Sequence, residues 1–174
     1  MIKRFIAAMY EIPIGWLWVI MIVAAVGWGV TAWLIKKRSL WRRINAIVLV
    51  AECLLVVGLT LLGRGDKGRE FSLVPFYSFQ LAHEYADVYI QMVLNVMMFL
   101  PFGMAAPFVF SGFTKHPLWL TAVCAVTLSV LVEVLQYRLA SGYADIDDVI
   151  FNTFGTLVGF LAYGVCRQLQ KRMK

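Results

Sequence analysis

Residues 14–35 read IGWLWVIMIVAAVGWGVTAWLI, twenty-two consecutive positions without a charge. A helix rises about 1.5 Å per residue, so about 20 apolar residues cross the roughly 30 Å hydrocarbon core of a bilayer. This stretch is long enough to span, and others follow it. Residues 44–62 carry Glu52 as their single charge, 91–112 carry none, 117–137 carry only Glu133, and 149–166 carry none. The sequence therefore predicts an all-α, polytopic transmembrane helix bundle of about five spans. Residues 1–174 are expected to form a single membrane domain.

Composition points the same way. The chain is 61% hydrophobic and 15% charged, with a mean hydropathy of +0.78. A soluble domain runs about 45–50% apolar and about 25% charged. Disorder is excluded by the apolar content. Three cysteines, Cys53, Cys124 and Cys166, lie inside apolar runs with no CxxC, so neither a disulfide scaffold nor a thiol metal site is indicated. The basic start MIKRF is followed by an apolar run too long for a signal peptide, so the first span is expected to be retained. Residues 1–13 read as a short interfacial helix.

The net charge of +6 arises from short basic loops, so it is a topology signal and not a nucleic-acid footprint. With five spans, one side collects ten basic residues: the 36–43 loop, Lys115 and the tail from Arg167. The other side collects six. The expectation is a multi-pass protein of the bacterial cytoplasmic membrane, with the N-terminus outside and the C-terminus in the cytoplasm. Asp66, Glu70, Glu84, Asp87, Asp145, Asp147 and Asp148 then fall on the outer side.

Residues 63–90 contain LVPFYSF, which is aromatic and apolar but too short to span. It reads as an interfacial or re-entrant segment before the third span. Arg69 stands just ahead of it. In the third span Asn95 precedes Pro101, which removes a backbone donor and kinks a helix, and Asn95 is placed to serve a freed carbonyl. Glu133 and Gln136 share one helix face with Tyr137. Asp145 reads as an N-cap with Asp148 as the box acid, and Asp148, Asn152 and Gly155 share a stripe. Gly155 and Gly159 form a small-xxx-small surface for close packing on a neighbouring helix. Glu52 lies near mid-membrane, where an acid costs about 2.5–3.5 kcal/mol. It reads as a proton or substrate site, or as a neutral carboxyl bonded to a neighbour.

Together Arg69, Asn95, Glu133, Gln136, Arg138, Asp145, Asp147, Asp148 and Asn152 come within reach of one outer-leaflet pocket, either a functional site or an ion-pair network clamping the helix ends. The order of Arg69, LVPF at 73–76, Asn95 with FLPFG at 99–103, Glu133-x-x-Gln136, Arg138, Asp145-Ile-Asp147-Asp148 and Asn152-x-x-Gly155 resembles the VanZ-like family of bacterial membrane proteins. The match covers about residues 69–164. Where the family often has Asn before Leu-x-Pro-Phe, this chain has Ser72. The resemblance implies an envelope context linked to teicoplanin and lipoglycopeptide resistance, without implying a reaction.

Three functions follow as expectations. The first is an intramembrane enzyme acting on a lipid-linked cell-wall precursor or other envelope substrate. Glu133 is its acid or base, with Asp145 and Asp148 as further catalytic carboxylates. Arg69 and Arg138 hold a phosphate or carboxylate, and Asn95, Gln136, Asp147 and Asn152 complete the binding side. The acids at 145–148 are also the place where a divalent cation would bind. The second is a non-catalytic protein that binds a membrane lipid, a lipoglycopeptide or a partner in the same pocket. The third, a small transporter or flippase, rests on Glu52 and lacks an internal repeat. No HExxH, GxSxG, GxGxxG or GxxxxGK[ST] occurs, and the GRGDKGR at 63–69 lacks the context of a phosphate loop.

Overall fold

A computed structural model describes residues 13–35, 37–62, 70–111, 113–139 and 143–172. Each of the five predicted spans falls on a helix. The long helices are α1 (Ile14–Leu34), α2 (Arg38–Leu62), α4 (Ala86–Phe110), α5 (Pro117–Arg138) and α6 (Ile146–Arg172). Between α2 and α4 lie a two-residue strand, β1 (Phe71–Ser72), and a short helix, α3 (Tyr77–Ala82). A second strand, β2 (Ala144–Asp145), leads into α6. Among the described residues, α1, α4, α5 and α6 are long and apolar enough to cross a membrane. Helix α2 is 25 residues long and contains the 44–62 run, so it supplies the fifth span. The interfacial helix expected over residues 1–13, Arg69 and the GRGDKGR stretch lie outside the described residues, apart from Pro13.

The bundle is apolar outside and partly polar inside, the reverse of a soluble domain. Ile22 and Val23 on α1, Ile47 and Leu54 on α2, and Leu161 on α6 are exposed, whereas Asn45, Glu52, Thr121, Ser129, Gln136, Asn152 and Thr156 are buried. A lipid solvent accounts for this, because apolar side chains have no reason to hide from it while polar ones must find partners inside.

Helix α4 is the centre, with 61% of its apolar window buried against 11% for α1. It packs most closely on α6. A Cβ added at Gly155 would collide with the Val96 backbone, at Gly159 with the Leu100 backbone, and at Gly103 with the Thr156 backbone. The small-residue surface predicted for the last span is thus real, and its partner is α4. Helix α4 continues through Pro101 and Pro107, so the proline does not end it. A separate apolar core joins Val56 of α2, Phe99, Phe102 and Ala106 of α4, and Ala125 and Val132 of α5. Glu52 is buried on α2 and its Oε1 has no hydrogen-bond partner among the described residues. The three cysteines are free.

The two ends of the bundle differ. At one end an aromatic chain runs from Trp28 to Trp41 (5.0 Å), Phe108 (5.6 Å) and Tyr163 (4.6 Å). Arg167 donates to the Tyr163 hydroxyl at 3.1 Å there. The carboxylates gather at the other end, near Asn95. On α4 that is 13 residues from Phe108, or about 20 Å along the helix axis.

Candidate functional site

The carboxylate end is built around the start of α6. β1 pairs in parallel with β2, Phe71 opposite Ala144 and Ser72 opposite Asp145. The Ala144 N–H donates to the Glu70 carbonyl at 3.1 Å. This pairing ties the 70–85 segment to the 143–148 segment, and it answers the interfacial reading of LVPFYSF. The chain runs extended, turns, and makes the six-residue helix α3 with its apolar side chains outward. Leu73 is 68% exposed, and Val74, Phe76 and Phe79 are also exposed, as suits a segment lying at a membrane interface. Phe76 adopts a left-handed conformation (φ 63°), an unfavourable one for a bulky residue.

Asp147 holds that turn in place. It is fully buried, and its two carboxylate oxygens accept the backbone N–H groups of Phe76 (2.5 Å) and Ser78 (2.8 Å). The carboxylate therefore caps α3 from a distance and offsets the cost of the left-handed Phe76.

Asp145 is the N-cap of α6, as the sequence implied, since its Oδ1 accepts the Asp147 N–H at 3.0 Å. The other half of the expected capping box does not form. The Asp145 N–H donates to Oε2 of Glu133 at 2.9 Å, and Asp148 turns toward α4. There Asn95 Nδ2 donates to Asp148 Oδ1 at 2.7 Å, and Gln91 Nε2 lies 3.3 and 3.4 Å from the two oxygens. Asn95 is thus bonded to a carboxylate and not to a carbonyl freed by Pro101. One turn into α6, Asn152 Nδ2 donates to Ser129 Oγ at 2.7 Å, both residues being buried.

The residues named from sequence fall into separate groups. Asn95 with Asp148, Glu133 with Asp145, and Asn152 with Ser129 are bonded pairs that join helices. Asp147 is occupied by the turn before α3. Gln136 is buried on α5, one turn beyond Val132 and Glu133. Arg138 is exposed in the last turn of α5. Arg69 lies outside the described residues. The carboxylates of Asp145, Asp147 and Asp148 point in three directions. Among the described residues no three His, Cys, Asp or Glu side chains come together to hold a metal ion.

Burial pushes the Asp145 carboxyl above its ordinary value of 3.8. The Asp147 N–H that it accepts pulls it down, and the Asp147 charge pushes it up again.

Beside this lattice lies a surface groove of about 430 Å³, within the usual range for small-molecule sites. Its walls are β1, β2, α5 and the first turn of α6. Leu73, Val130, Val134 and Val149 line it, with Glu133 and Asp145 also among its lining residues, and its surface is almost entirely apolar. The sequence points to one polar pocket gathering nine residues, whereas this groove is lined by two of them, Glu133 and Asp145, among mostly apolar side chains. Gln91 and Ser129 are not singled out by the sequence reading. Those two had a readable signal. Gln91 is one turn from Asn95, and Ser129 is one turn from Glu133, each pair on a shared helix face.

The fold and site define a multi-pass α-helical membrane protein with a largely apolar groove beside a lattice of bonded carboxylates at one end of the bundle. The chain belongs to the VanZ/LLP1 family, whose model matches residues 14–167. The likeness thus reaches back through the first two spans, beyond the 69–164 region that the motifs alone mark. Among curated proteins, Protein VanZ of Enterococcus faecium is 32% identical over 84 residues, 48% of this chain and 50% of that protein. The chain thus matches about half the length of that relative. No solved structure matches significantly.

Proposed function

We propose that this VanZ-like protein works in the bacterial cytoplasmic membrane and holds an amphipathic envelope molecule, a lipid-linked precursor or a lipid-tailed antibiotic, at the outer leaflet. The polar end of the ligand meets Glu133 and Asp145, and its chain lies in the groove. One observation carries this reading: an apolar groove of about 430 Å³ lies beside the bonded pair Glu133 and Asp145, both of which are among its lining residues. The clustering of Trp41, Phe108, Tyr163 and Arg167 at the far end, next to the basic start of α2, supports placing that end in the cytoplasm, the N-terminus outside and the C-terminus inside.

The test is purified protein in vesicles containing radiolabelled envelope lipids, followed by chromatography of the retained label. The reading expects label retained unchanged, and Glu133→Gln lowering both retention and the cellular antibiotic phenotype. Retention no better than that of an unrelated membrane protein would sink it. A second reading, catalysis, is favoured by the place of Asp145 beside the groove, where burial raises its carboxyl above the ordinary value. Appearance of a converted lipid, lost in Asp145→Asn, would select that reading.

A further inference from the structure

Glu52 stands apart from the carboxylates at the end of the bundle. It lies well inside α2, is 8% exposed, and its Oε1 has no hydrogen-bond partner among the described residues. Helices α4 and α5 pack on α2. Near Glu52, α4 brings Phe99 and Phe102 to the core, neither of which titrates. The titratable groups beside it are Cys53 on its own helix and Cys124 of α5, which interacts with Cys53.

Other unmet polar atoms lie on the same face of α2. Asn45, two turns before Glu52, is fully buried. Its Nδ2 donates to the Trp41 carbonyl at 2.7 Å, and its Oδ1 has no partner among the described residues. Trp41, one turn earlier, is buried with its indole N–H unmet, and so is the indole N–H of Trp28 on α1, whose ring centroid is 5.0 Å away. Helical side chains lean toward the N-terminus, so Glu52 leans toward Asn45 and Asn45 toward Trp41. The row runs from the Trp41 end of the bundle to mid-span, about 16 Å along the helix axis.

The chemistry of these atoms selects what meets them. The carboxyl and amide oxygens accept, whereas the two indole N–H groups donate. A cation suits only the oxygens, an anion only the indoles, and an acyl chain neither. Water both donates and accepts, and buried waters commonly join two to four polar groups that have no other partner. A carboxyl at the head of such a row exchanges its proton with bulk water, which one sealed in hydrocarbon cannot do.

We infer that water reaches Glu52 from the Trp41 end of the bundle, along the inner face of α2 past Asn45, and that Glu52 takes up and releases a proton through it. The inference is independent of the groove, which lies at the opposite end.

The water path is tested by labelling cysteines with a small, charged methanethiosulfonate in nanodiscs, which leave both faces open. Cys53, Cys124 and Cys166 are first replaced by Ala. Leu49→Cys, between Asn45 and Glu52, should react at least about tenfold faster than Ile47→Cys and Leu54→Cys, which face lipid, and than Val56→Cys, one turn beyond Glu52. Asn45→Leu should slow the reaction at Leu49→Cys about tenfold, the worth of one buried polar partner, with Asn45→Val serving if that variant does not fold. The proton is read by infrared spectroscopy of the natural chain. A carbonyl stretch that Glu52→Gln removes should shift on transfer to heavy water and change with buffer pH. Labelling at Leu49→Cys no faster than at the lipid-facing positions, labelling at Val56→Cys ahead of it, or a rate indifferent to Asn45 overturns the water path. A Glu52 carbonyl band absent at every pH, or one that neither exchanges nor responds to pH, overturns the proton site.

Discussion

The backbone N–H of Asp145 donates to Oε2 of Glu133 at 2.9 Å, so a carboxylate near the end of α5 holds the residue that starts α6. The bond has two consequences. It fixes Glu133 against the start of α6 beside the groove, and it leaves Asp148 available to α4. The carboxylate end is therefore two structures side by side, a bonded lattice that joins helices and a groove that the lattice positions.

Within the lattice, Asn95→Ala removes the 2.7 Å donor to Asp148 and leaves that buried carboxylate with Gln91 as the remaining α4 donor. A buried charge losing one partner costs on the order of 1–3 kcal/mol. Unfolding in mixed detergent should show that loss. Asn95→Asp sets two carboxylates against each other and should lose more, with part of the loss recovered as pH falls. A stability unchanged in both variants would remove the lattice from this account.

Close approach of α4 and α6 sets up a second contrast. A Cβ at Gly155 or Gly159 meets the backbone of Val96 or Leu100, which cannot move aside as a side chain end could. Gly155→Ala and Gly159→Ala should each destabilise by roughly 1–3 kcal/mol. Gly164→Ala on the same helix meets nothing within 4 Å and should be tolerated. Equal behaviour of the three in thermal melts would argue against this packing.

These bonds also show how far the sequence could be read. The spans, the small-residue face of α6 and the N-cap at Asp145 are legible, because long apolar runs and helical spacing print themselves in side-chain identity, whereas the partner of Asn95 is not, since it is Asp148 of another helix. The β1–β2 pairing was not, since a two-residue strand has no periodicity. Nor was the job of Asp147, because its partners are the backbone N–H groups of Phe76 and Ser78, and any residues could supply those. The capping box failed for a related reason. Asp145 and Asp148 have the right spacing, but Glu133 from another helix takes the N–H first.

Asp147→Ala should release the turn before α3. Two charge-assisted bonds to Phe76 and Ser78 are lost, on the order of 3 kcal/mol together. Limited proteolysis of protein in detergent should then cut within residues 70–85, well before the long helices. Asp147→Asn keeps one acceptor and should fall between. Protection of the segment equal to that in the natural chain would show that something other than Asp147 holds it.

The raised Asp145 carboxyl gives a pH dependence with a definite sign. An acid whose folded value lies above its unfolded value adds stability below the unfolded value, near 3.8, and loses it as pH rises through the folded one. Asp145→Asn keeps the cap but cannot titrate. Neighbouring Glu133, Glu70 and Asp147 are common to both proteins, so their titrations largely cancel in the comparison. The melting temperature of Asp145→Asn minus that of the natural chain should therefore rise as pH is raised from about 4. A difference that stays flat or falls would contradict the burial of this carboxyl.

The chain of an amphiphile is proposed to sit in the groove. A lipid carrying a diazirine in its acyl chain, photo-crosslinked to the protein and its adducts mapped by peptide mass spectrometry, probes that seat. The account predicts adducts concentrated at Leu73, Val134 and Val149, well above the equally apolar and exposed Ile22 and Val23 of α1. Adducts spread evenly over the lipid-facing helices, with no excess at the groove, would contradict it.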